Sequence, residues 1–130
     1  MLGEKEIRIR FVESGEQRYP TCGDYQDMSE YHLFTITKQD NWRKNLLIFL
    51  HEFIEYSLCE DREIPEQMIT DYDLEWNRRL EAGEVLADEP GNEPDNNIYK
   101  NEHRIAENFE RLFAEYLGVD WFEYDKNLII

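Results

Sequence analysis

Cysteine is nearly absent. Cys22 and Cys59 are the only two in 130 residues, too few for a disulfide framework and not spaced as a zinc knuckle, so both are expected as reduced thiols. Basic residues are scarce as well: 14 Lys and Arg stand against 30 Asp and Glu, a formal charge of -16. The few cations are scattered along the chain, which argues against nucleic acid as a partner, because a phosphate backbone needs a concentrated positive face. No apolar run reaches the ~18 residues that span a bilayer, and Met1-Leu2-Gly3-Glu4 opens no signal-peptide core. A cytoplasmic protein with no membrane partner is the expectation. Internal repeats and low-complexity tracts are lacking too.

What is present is enough for one core. With 41% hydrophobic and 14% aromatic residues, the chain fills a single domain over 1–130 and not two. Residues 1–38 read as mainly strands. Ile7, Ile9 and Phe11 alternate with Arg8 and Arg10, Ser14-Gly15-Glu16 is a turn, and alternation returns from Tyr31 to Thr37 after the Pro20–Asp24 loop. The stretch 41–118 reads as helical. One helix is expected over about Trp42 to Glu60, capped by Asp40 or Asn41, and a second over about Pro65 to Ala82 with a Met68, Tyr72, Trp76, Leu80 row. Gly83 to Asn97 holds two prolines, two glycines, three asparagines and five acids, a loop longer than the usual ~4 to 6 residues and of the kind that carries function. A third helix runs to about Leu117 and ends at Gly118, with Ile105, Phe109, Leu112, Phe113 and Tyr116 as its expected core stripe. The aromatic tail 119–130 packs either as a last strand or on the helices. The fold class is therefore α+β, a small N-terminal antiparallel sheet packed against three helices.

The chemistry concentrates in Leu46–Glu55, where five apolar residues run straight into His51-Glu52-Phe53-Ile54-Glu55. Ionisable groups in such company need a partner or a metal. His at i and Glu at i+4 lie roughly 40° apart on one helical face, so both can reach a single ion. That is the geometry of the zinc-protease helix H-E-x-x-H, here with Glu55 in place of the second His. Catalytic zinc takes three protein ligands, and His103 on the only other long helix bearing a His is the candidate third. Two His and one Glu then hold the metal, and Glu52 is left as general base. Glu110 is expected to orient His103 or to ligate in its stead. Cys59, one more i+4 step along, and Asp95 in the long loop are the other alternative ligands.

Each residue also has a plainer reading. A buried His51 hydrogen-bonded to Glu55 satisfies both groups without metal. Glu52 and Glu55 suit an ordinary helix surface, His103 a solvent-facing helix position, and Cys59 a small core filler. His32, alternating beside Phe34 and Ile36, reads as packing. The acidic stretch from Glu84 to Glu93 lacks EF-hand spacing and reads as solvated.

The order of Arg18–Asp24, His51–Glu55 with Cys59, Pro90–Asp95, Tyr99, His103, Ala106, Glu110 and Leu117–Trp121 resembles a family of small phage and prophage proteins of unassigned function. The His51 helix is also similar to that of minimal zinc metallopeptidase-like folds, in which a short sheet lies beside the active-site helix and a second helix adds a ligand. The resemblance implies a metallopeptidase-like protein acting on a peptide or amide bond, in the host cytoplasm if phage-encoded. The competing expectation is a non-catalytic acidic protein that binds a basic protein partner, as a nucleic-acid mimic does.

Overall fold

A computed structural model describes residues 1–85 and 87–130. Its elements are β1 (Glu6–Val12), β2 (Gly23–Asp27), β3 (Tyr31–Thr37), α1 (Trp42–Asp61), α2 (Glu66–Glu81), a 3-10 turn at Pro90–Asn92, α3 (Lys100–Tyr116) and α4 (Trp121–Lys126). An N-terminal sheet followed by helices is the α+β class read from the sequence. The tail contributes a fourth helix, short and capped by Asp120, whose side chain accepts from Glu123 N.

The sheet is mixed and not antiparallel throughout, which corrects the expectation. β2 and β3 form an antiparallel hairpin, with Tyr25 opposite Phe34. β1 lies on the far side of β3 and runs parallel to it, with Ile9 opposite Phe34, giving the order β1-β3-β2. The chain reverses twice, through the 13–22 loop and the Met28–Tyr31 turn, so β3 returns in the direction of β1 and enters between the first two strands. That loop is tied across the sheet by Thr37 N to Cys22 O at 2.8 Å and by Gln17 Nε2 to Thr35 O at 2.9 Å.

α1 begins where Asn41 accepts from the amides of Arg43 and Lys44, at 3.0 and 3.3 Å. It crosses the sheet and buries its aromatic side there. Phe34, Phe49, Phe53 and Tyr56 pack edge-on and tilted with ring centroids 5.5 to 5.7 Å apart. His32 is fully buried in this layer and meets the Tyr56 hydroxyl, a packing role as its alternation suggested. Cys59 sits in the same cluster with Tyr25, Phe34 and Tyr56.

α3 packs along α1. Arg62 at the end of α1 pairs with Glu102 at the start of α3, and His51 meets Glu110 further on, so the two helices run antiparallel. Here the expectation for α3 is overturned. Its buried residues are Glu102, His103, Ala106, Glu110 and Ala114, whereas Phe109, Leu112, Phe113 and Tyr116 are 42% to 83% exposed. The supposed core stripe faces outward because α1 offers α3 an ionisable surface, and the small Ala106 and Ala114 let the helices approach around it. α2 differs in the same way: Trp76 is buried together with Ile69, Thr70 and Asp73, but Met68 and Leu80 are half exposed.

Candidate metal centre

α1 delivers His51 and Glu55 one turn apart, and the antiparallel α3 delivers His103 against them. His51 Nε2 lies 3.1 Å from Glu55 Oε2 and 3.1 Å from His103 Nδ1, and His103 Nδ1 lies 2.8 Å from Glu55 Oε2. Three buried ligand atoms thus close a triangle, and the group could hold a metal ion. Two ligands bound at about 2.0 to 2.1 Å in a tetrahedron stand about 3.3 Å apart, so little movement separates this triangle from a coordinating one.

The outward atom of each residue is also held. His51 Nδ1 meets Glu110 Oε1 at 2.7 Å, and Glu110 Oε2 accepts from Tyr124 OH at 2.5 Å. His103 Nε2 meets Glu89 Oε1 at 2.9 Å, and Glu55 Oε1 accepts from Tyr25 OH at 2.8 Å. A carboxylate behind an imidazole fixes its proton on the outer nitrogen and points the lone pair inward, which is the usual arrangement behind metal-bound His. Two neutral rings in that tautomer would aim two lone pairs at a carboxylate oxygen, a clash that a cation between them relieves. Without metal the cation is a pair of protons. Burial opposes it, but Glu110 and Glu55 outweigh burial and push the His51 pKa well above its usual value. For His103, burial is likewise overcome by Glu55 and Glu89, which raise it to about 10. Burial would raise Glu55, and hydrogen bonds from His103 and His51 lower it instead to about 2.

Glu52, the base expected from the sequence, is half-buried and lines the same cavity as the triangle, a space of about 450 Å³. Burial, then the neighbouring Glu55 charge, push its pKa well up. Gly23 of β2 makes room for it: a Cβ there would fall 2.7 Å from Glu52 Oε1. Strand β2 therefore touches the site twice, through Gly23 and Tyr25.

Three expected alternatives fall elsewhere. Glu110 serves His51 and not His103, since seven residues on from His103 it lies about 10 Å along the helix, beside the antiparallel partner. Cys59 is core, its thiol pushed up to about 12 by burial and by Glu55. Asp95 is exposed on the loop and is not among the clustered ligand residues. The 84–93 stretch is not merely solvated, because Glu89 reaches His103 and Glu93 accepts from Trp76 Nε1 at 3.1 Å.

Glu89, Tyr25 and Tyr124 carry no site signal of their own in the sequence, and Gly91 enters there only within the Pro90–Asp95 motif. Gly91 lies flat against the His103 ring, and any Cβ there would overlap it. Asn97 holds that turn in place, donating to Gly91 O at 2.7 Å and accepting from Tyr99 N at 3.1 Å. The Pro90-Gly91 pair in an overlong loop was the one available signal. Asp73, which also lines the cavity, is buried, accepting from Tyr99 OH at 2.6 Å and Tyr19 OH at 3.2 Å.

Comparison with protein-family models, curated proteins and solved structures finds no match. No helix is long and apolar enough to cross a membrane among the described residues.

Proposed function

We propose that the protein binds zinc through His51, Glu55 and His103 and hydrolyses a peptide or related amide bond, as a cytoplasmic protein of the phage type that its motifs resemble. The observation that carries this reading is the triangle of inward ligand atoms with every outward atom held by a carboxylate or phenol. Nitrogen and oxygen ligands of this kind suit zinc, and three of them leave a fourth position for water.

Held by His51, Glu55 and His103, zinc would supply Lewis acidity, lowering the pKa of a water and polarising the substrate carbonyl. Glu52, lining the same cavity, would take a proton from the attacking water as the water oxygen bonds to the carbonyl carbon. The C–N bond then breaks, and the same proton passes from Glu52 to the departing amine. The missing side chain at Gly23 leaves the space that the Glu52 carboxyl occupies. Asp73, Asp88, Glu107 and Asp125 line the cavity against a single Lys126, which favours a substrate segment carrying positive charge.

The test is Glu52→Gln. Unchanged zinc content with loss of hydrolysis of a basic peptide library supports the proposal, because only the proton transfer is removed. Wild-type protein that carries zinc yet cleaves nothing contradicts it and returns the charge of -16 to the second reading, an acidic protein that binds a basic partner without catalysis.

A further inference from the structure

The outer face of the α1–α3 pair is the least expected feature of the molecule. Phe109, Phe113 and Leu112 are 47%, 42% and 49% exposed and Tyr116 is 83% exposed. Ile105 continues the stripe, half-buried, and so do Leu46, Leu50 and Ile54 on the adjoining side of α1. The i, i+4, i+7, i+11 spacing of Ile105, Phe109, Leu112 and Tyr116 is that of a helix made to pack on another helix. The four most exposed side chains alone offer on the order of 500 Å² of apolar surface, large for a monomer and a substantial part of the ~800 Å² each partner of a stable complex buries.

Charge says what covers it. The chain as a whole carries -16, so most of its surface repels a second copy. At this face the exposed charges balance, Arg43 and Arg104 against Asp61 and Glu115. Arg104 and Glu115 lie on one flank of the stripe, about 20° apart around the axis and at its opposite ends. An antiparallel twofold pairing of α3 brings Arg104 of each copy beside Glu115 of the other. It also sets Ile105 of one against Tyr116 of the other and Phe109 against Leu112, a self-complementary contact of the isologous kind.

We infer that the protein is a homodimer in which the two α3 helices pack antiparallel through Ile105, Phe109, Leu112, Phe113 and Tyr116. The metal triangle lies on the opposite, buried side of α3, so the inference stands independently of zinc. Sedimentation analysis of the wild-type chain at micromolar concentration gives the dimer mass, falling to the monomer on dilution. Phe109→Glu/Tyr116→Glu raises the dissociation constant at least about 100-fold, with unchanged far-UV circular dichroism. Should that double variant fail to fold, Tyr116→Glu alone, at an exposed position, carries the test. Arg104→Glu weakens the dimer by up to about 10-fold, and adding Glu115→Arg restores it. A monomer at every concentration, or a dimer indifferent to the Phe109 and Tyr116 substitutions, overturns the inference. A charge swap that does not restore association overturns the antiparallel pairing.

Discussion

Helix α3 has two faces, and the usual relation between them is reversed. Its inner face is ionisable, with Glu102, His103 and Glu110 all at most 6% exposed, and its outer face is aromatic, with Tyr116 83% exposed. In an ordinary amphipathic helix hydrophobic burial decides the orientation, at roughly 25 cal/mol per Å². Here that gain is forgone on one side, and the polar side is buried only because each group has a partner: Glu102 has Arg62, His103 has Glu55 and Glu89, and Glu110 has His51 and Tyr124. A buried network of this kind holds only when it is complete. Such a pattern marks a helix placed by its site and not by its core, with the apolar face left for a partner.

The comparison is broken most severely from the inner face. His103→Ala removes one of three ligands and abolishes stoichiometric zinc, measured by elemental analysis of the purified protein, while the secondary structure remains. Gly91→Ala attacks the same ring from outside, since the new methyl overlaps the imidazole. Its expected result is loss of zinc close to that of His103→Ala, although residue 91 is no ligand. Glu110→Gln and Glu89→Gln leave the ligands intact and weaken their orientation, with zinc affinity lower by about 10- to 100-fold in competition with a chelator.

A change of pH sharpens the contrast without mutation. In metal-free protein the folded-state pKa values of His51 and His103 lie above the ordinary 6.5, His103 at about 10. Folding therefore binds protons, and the added stability is fully present below pH 6.5 and lost as pH rises toward 10. Glu55, lowered from 4.5 to about 2, contributes in the opposite sense: present above pH 4.5, lost as pH falls toward 2. Thermal unfolding after chelation should show the advantage of wild type over His103→Ala largest between these limits and fading on either side. Zinc affinity rises with pH over the upper window, because the metal displaces those protons.

The smallest effect belongs to the outer face. Phe109→Ser, studied by chemical unfolding at a concentration where the chain is monomeric, is expected to cost no more than about 1 kcal/mol. A core phenylalanine would cost about 3 to 5 kcal/mol. A loss of that size would mean that the stripe is packed, and the contrast between the two faces would be gone.

The elements themselves were legible. Asn41 capping α1, the helical spacing of His51 and Glu55, and Gly118 closing α3 with φ of +70° are local features that need no neighbour. The pairing of His103 with His51 was inferred from ligand number, and the structure sets the two rings 4.7 Å apart between centroids. The orientation of α3 was not legible. Periodicity shows that a helix has an apolar side but not whether that side faces the core, and the balance was tipped by partners on α1 and in the 83–97 loop. The parallel β1–β3 pairing was hidden for a similar reason, because alternation fixes a strand's faces and not its neighbour. Glu89 gave no warning, since one acid among five in a loop becomes particular only when Gly91 and Asn97 fold the turn onto His103.

X-ray absorption at the zinc edge of the purified protein, with metal content measured on the same sample, tests the central claim most directly. The account predicts one zinc per chain in a shell of nitrogen and oxygen atoms with no sulfur, and its loss in His51→Ala and in His103→Ala. Protein that takes up no zinc when it is supplied, or zinc bound through sulfur, would contradict it.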